Sequence, residues 1–148
     1  MNKKLLLFIL LLTAVFSASP KVHAQTNPDW QPIFLDVTGG NKLDGLEASF
    51  QLNTCNNEDV VYVKFINHNA YPVKIEWFDA VFTQDLKWVN EERVALKKSL
   101  TLPANGDATG GCVKNSYPEL LVKVKNFIPG KKDFKRYSAS QLTVIAVK

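Results

Sequence analysis

The chain is poor in the residues that carry most enzyme chemistry. Its 148 residues include two histidines, two cysteines and one methionine. A Ser–His–Asp or Cys–His arrangement would have to use His23 or His68. His68 lies in the turn-like run NHNAY, where nothing orients an imidazole or excludes water, so an ordinary polar turn residue is expected there. No C-x-x-C occurs, which removes the usual dithiol redox motif. Two cysteines and so few imidazoles do not supply a zinc site. No D-x-[DN]-x-[DN]-G spacing occurs either. Asp36, Asp44, Glu58, Asp59 and Asp107 therefore read as solvated loop acids. Glu91 and Glu92 are adjacent, so an extended strand would point them to opposite faces. Gly106, Gly110 and Gly111 in PANGDATGGC lack phosphate-loop spacing and open no helix. No metal or cofactor is expected.

Long apolar runs are also scarce. The only one is Leu5–Phe16, preceded by Lys3 and Lys4 and followed by SASPKVHA. It is shorter than the roughly 20 apolar residues of a membrane span. Its basic start and the small residues Val22 and Ala24 match a secretory signal peptide cleaved after Ala24. Cleavage after Ala18 or retention as an anchor are the alternatives. No cysteine directly follows the run, so no lipoprotein anchor is expected. The remaining chain has no second spanning run and no N-x-[ST] acceptor, which points to a soluble exported protein of bacterial origin, periplasmic or secreted. Lys3, Lys4 and Lys21 leave with the signal. Of 18 basic residues, fifteen then face 14 acidic ones, so the formal charge falls from +4 to +1. Global basicity is a targeting feature and does not argue for a polyanion partner. Residues 25–148 suit one domain.

What is present is alternation. Ile33–Val37 alternates and is broken by Thr38-Gly39-Gly40-Asn41. Ala48, Phe50 and Leu52 share a face. A polar loop from Asn53 to Asp59 holds Cys55. Val61, Val63 and Phe65 oppose Tyr62 and Lys64. Pro72 opens a run in which Val73, Ile75 and Trp77 oppose Lys74 and Glu76, which places Trp77 in the core. Val94, Leu96, Leu100 and Leu102 share a parity that Lys98 interrupts. Val122 and Val124 point inward between Lys123 and Lys125, and Leu142, Val144 and Ala146 are in phase. NEERVALKK could form one or two helical turns capped by Asn90, and a loop leading into a strand is preferred. Period two with frequent β-branched residues and short turns predicts an all-β, antiparallel sandwich of about seven to eight strands.

Two cysteines in an exported chain predict one disulfide, Cys55–Cys112. The strand pattern over residues 30–148 resembles the broad immunoglobulin-like or fibronectin-like sandwich, without a motif of any one family. In such a layout, strands 60–67 and 94–102 as antiparallel neighbours would bring both cysteines to the same end. The bridge would then staple two loops, unlike the strand-to-strand bridge of antibody domains. Trp77 also lies farther beyond Cys55 than the antibody pattern places it. Architecture of this kind does not carry function.

The most polarised stretch is FIPGKKDFKRY. Lys131, Lys132, Lys135 and Arg136 there, with Lys123 and Lys125 beside them, form a possible patch for an acidic glycan, lipid headgroup or protein surface. Outward lysines on an edge hairpin also discourage aggregation, and this reading is preferred. Trp30 and Trp88 are candidates for surface stacking on carbohydrate. Nucleic acid is disfavoured by export. Three functional readings follow: a non-catalytic binding or structural module; a small periplasmic inhibitor or chaperone-like protein using an edge strand or the basic hairpin; and a hydrolase built from loop acids. The first is preferred. A cleft holding a carboxylate beside a second polar group is what would favour the third.

Overall fold

Residues 29–35, 38–90, 96–114 and 116–148 are described by a computed structural model. The segment read as a signal peptide, Asp36, Glu91, Glu92 and Val94 lie outside them, as does most of the possible helix. The described residues form ten strands: β1 Gln31–Pro32, β2 Lys42–Leu43, β3 Leu46–Cys55, β4 Glu58–Asn67, β5 Val73–Thr83, β6 Trp88–Asn90, β7 Lys98–Leu102, β8 Asp107–Thr109, β9 Leu121–Lys123 and β10 Phe134–Ala146. All pairings are antiparallel. One sheet runs β1-β3-β4-β8, with β2 also on β3 and β9 also on β4. The other runs β10-β5-β6, with β7 also on β5.

The strand count exceeds the expected seven to eight because three edges are interrupted. β1 and β2 pair with successive stretches of β3, at Ser49–Phe50 and Leu46–Glu47. β6 and β7 pair with successive stretches of β5, at Ala80–Phe82 and Val73–Trp77. β8 and β9 pair with successive stretches of β4, at Lys64–Ile66 and Val60–Tyr62. With each pair taken as one edge, seven strands remain. The chain changes layer after β4, after β7 and after β9, so sequence neighbours lie across the core from each other.

Alternation places the core. Along β5, Val73, Ile75, Trp77 and Val81 are buried on the inward parity. They meet Ala48, Phe50, Val61, Val63 and Phe65 of the facing sheet. Phe65 and Trp77 cross edge-to-face at 5.1 Å, and Phe50 meets Phe134 at 5.9 Å. Each such pair adds about 1 kcal/mol beyond the area it buries. Two-residue turns set the registers. Asp44-Gly45, with φ of 47° and 75°, joins β2 to β3. Asn56-Asn57, with φ of 50° and 64°, joins β3 to β4. Both are left-handed pairs of the kind that match strand twist. The expected polar loop from Asn53 to Asp59 is therefore a tight hairpin, and Cys55 closes the ladder opposite Glu58.

The disulfide joins Cys55 to Cys112 with Cα atoms 5.8 Å apart. The topology expected to bring the cysteines together is corrected: residues 98–102 pair with β5 in the other sheet, not with β4. Proximity arises instead because β8 and β9 run along one edge of β4 while β3 runs along the other. Cys112 sits in the excursion between them. Gly110 donates to Val63 O at 2.9 Å, which holds the excursion against β4. In PANGDATGGC the tight turn is centred on Ala104 and Asn105, not on Asn105 and Gly106: Gly106 N reaches Pro103 O at 3.1 Å, and Asn105 has φ of 52°.

Candidate functional site

The inward parity of β5 carries one charged residue, Asp79, between Trp77 and Val81, and ends on the buried Thr83. A carboxylate taken out of water requires donors. It has three. Trp77 Nε1 donates to Asp79 Oδ1 at 3.1 Å, and the Tyr137 hydroxyl donates to the same oxygen at 2.6 Å. Lys98 Nζ lies 2.6 Å from Oδ2. Register explains the meeting. Lys98 of β7 pairs with Trp77, and Ala139 of β10 pairs with Asp79 itself. Tyr137 stands beside Val81 on the same inward face. Burial, followed by the Asp79 charge, pushes the Tyr137 hydroxyl well above the ordinary tyrosine range.

Lys98 reaches this position from the edge. Its ammonium also donates to Glu119 O at 2.6 Å, tying β7 to the turn before β9. The Lys98 side chain is 23% exposed and that of Asp79 only 9%. The pair lies at one side of a cavity of about 380 Å³, lined also by Leu96, Pro118, Leu121, Lys123 and Phe127. That is the lower end of the usual range for small-molecule sites. Among the described residues no buried side-chain nitrogen or oxygen lacks a partner. No group of three or more histidine, cysteine, aspartate or glutamate side chains among them is placed to hold a metal ion. A second cavity, of about 410 Å³, lies beside Thr83, Asp85, Ile128 and Asp133.

The basic residues singled out in the sequence do not form one surface. Lys123 and Lys125 both pair with Glu58, the former at 2.9 Å. Hydrogen bonds from Lys125 and then Lys123 hold the Glu58 carboxyl down at about 2. Lys131 lies 3.3 Å from Asp59, the next residue of β4. These three lysines gather where β4 begins. Arg136 is on the outer face of the other sheet, opposite Phe82. Its guanidinium lies 4.2 Å over the Phe82 ring and 5.3 Å from that of Phe34. Lys132 and Lys135 are exposed, with no ion pair among the described residues.

The tryptophans divide. Trp77 is fully buried, whereas Trp30 and Trp88 are 39% and 41% exposed. Trp88 packs on Phe82 at 4.5 Å, so a row of Arg136, Phe82 and Trp88 crosses three strands. His68 stays on its turn, with Nε2 2.8 Å from Glu47 Oε2. Asn67, fully buried, donates to Tyr71 O and Pro103 O, bracing two turns together.

The sequence held a signal for this site. Lys98 interrupts an apolar parity, and Asp79 interrupts another. Two opposite charges on inward positions of separate strands need each other, but choosing the partner requires the β5–β7 register. Compared with known proteins, the chain matches no family model, no curated protein and no solved structure.

Proposed function

We propose that this chain is an exported, non-catalytic ligand-binding module built on a disulfide-linked β-sandwich. The observation that carries the reading is the state of Asp79. Both of its oxygens already accept, from Trp77, Tyr137 and Lys98. A general base must reach the proton that it abstracts. A carboxylate enclosed by three protein donors instead ties β5, β7 and β10 of one sheet together and leaves an ammonium facing the cavity. The Cys55–Cys112 bridge and the basic-apolar start of the chain support export, because such bridges persist in oxidising compartments.

The test combines turnover and binding. Mature protein is assayed on chromogenic esters, glycosides, phosphates and peptides, with Asp79→Asn alongside, and screened against small metabolites by thermal shift. No turnover, with at least one compound class raising Tm saturably, is expected. Turnover that a folded Asp79→Asn variant loses would overturn the reading.

Partner capture through a strand edge is the second reading. It is favoured by β10, which ends its sheet and pairs only with β5 among the described strands. Against it stand two register shifts along β10, a left-handed Gln141 and the exposed Lys135, all of which blunt an edge.

A further inference from the structure

The cavity beside Lys98 has a definite chemical sense. Asp79 Oδ1 already accepts twice, and Oδ2 is drawn to the Lys98 ammonium. Lys98 has three ammonium protons, and Asp79 and Glu119 O take two of them. Glu119 contributes its carbonyl here; its carboxylate is not part of the lining. The third proton remains for whatever enters. At the rim stands a second lysine, Lys123, whose ammonium rests on Glu58. It shares Glu58 with Lys125, so turning toward a ligand leaves Glu58 still paired. Two lysines and one aspartate thus line the cavity, with the Lys98 ammonium beside Asp79 and that of Lys123 drawn to Glu58. The walls beside them are Leu121, Pro118 and Phe127, with Leu96 at the side. A cationic guest would face like charge. A polyol would find apolar walls and few acceptors. A negative head with an apolar body satisfies both halves.

Resting on the reading of this chain as a binding module, we propose that the cavity is a site for a small monocarboxylate with an apolar body. The carboxylate accepts from Lys98, and from Lys123 when that side chain turns inward. The body lies on Leu121 and Phe127. Charge-assisted hydrogen bonds are roughly twice as strong as neutral ones, so the head group should decide affinity.

The experiment is an amide NMR titration of the mature protein with hexanoate, with hexanamide and hexylamine as comparators. Hexanoate is expected to give saturable shifts at Lys98, Leu121, Val122 and Phe127. Hexanamide should bind about tenfold more weakly, and hexylamine should leave the cavity signals in place. Lys98→Met should weaken hexanoate by about tenfold or more. Because that change strips Asp79 of its partner and can unfold the chain, Asn126→Trp provides a second variant. It is exposed at the cavity rim and touches neither charge. It should abolish the hexanoate shifts while the remaining spectrum persists. The proposal is overturned by hexanoate shifts that are absent or lie elsewhere at roughly 10 mM, by equal affinity for hexanamide, or by unchanged binding in Asn126→Trp. Such a failure would leave the non-catalytic reading standing, since that reading falls to turnover.

Discussion

Asp79 is the residue on which the interior turns. Its neighbours are chosen for one purpose: an indole, a phenol and an ammonium converge on two oxygens, each from a different position in the sequence. Tyr137 carries a measurable consequence. Its folded value is raised above that of the unfolded chain, so the unfolded chain loses this proton first. The stability it contributes is present below the ordinary tyrosine range, near 10, and is lost as pH rises beyond it. Of the four tyrosines, Tyr137 should become phenolate only as the fold opens. Phenolate absorbance and circular dichroism, followed together through an alkaline titration, check this. Phenolate signal that Tyr137→Phe removes, appearing while the fold is intact, would contradict it. Gly110 is critical for a different reason. A Cβ there would lie 2.0 Å from the Leu120 carbonyl oxygen, which is backbone and cannot turn away. Gly110→Ala should cost about 3 kcal/mol or more in urea unfolding, on the scale of overpacked interiors.

At the scale of elements, the interrupted edges shape the molecule. β8 and β9 follow one line along β4, and the chain between them leaves the ladder and returns. The Cys55–Cys112 bridge pins that excursion to the end of β3, and the Tyr62 hydroxyl donates to Cys112 Sγ at 2.7 Å. Replacing both cysteines by alanine should lower the unfolding free energy by about 4 kcal/mol in the chain-entropy account. A loss below about 1 kcal/mol would mean that the ladder holds the excursion alone. β3, β4 and the first half of β5 were legible because period two holds there between short turns, whereas the first half of β10, whose register shifts between Phe134 and Arg136, reads in the sequence as a basic hairpin. The break within each edge was not. Val122 and Val124 alternate with lysines as a strand would, yet β9 ends at Lys123 and Val124 opens a 3-10 turn that still buries it. A single turn can preserve the inward parity of a strand, so alternation does not separate them. The sheet assignment of residues 98–102 was also hidden. An apolar parity says which side faces inward, and either sheet of a sandwich offers an inside.

Across the whole molecule, charges are arranged in local pairs. Glu58 and Glu76 each accept from two lysines, and Asp85 accepts from Lys87 and Thr83. All three carboxyls are held at about 2, below their ordinary values of 4.5 and 3.8. The unfolded chain therefore takes up these protons first as pH falls. Their stabilisation is full above the ordinary carboxylate range and is lost on descent toward pH 2. Because these pairs are exposed, the loss should be small and salt should reduce it. Melting temperature against pH at low and high salt checks both points. The same pairing explains why a basic stretch in the sequence is not a basic surface. The acids that neutralise Lys123, Lys125 and Lys131 come from the start of β4, far away in sequence.

The central claim is that Asp79 and Lys98 are built into the sandwich as a pair, with Asp79 held by Trp77, Tyr137 and Lys98. A double-mutant cycle in urea, using Asp79→Asn, Lys98→Met and the two together, tests it most directly. Breaking a buried pair from one side leaves an unmatched charge, so each single change should cost about 3 kcal/mol and the double should cost clearly less than their sum. A neutral or stabilising Asp79→Asn, as expected of a carboxylate held under strain for catalysis, would contradict the account.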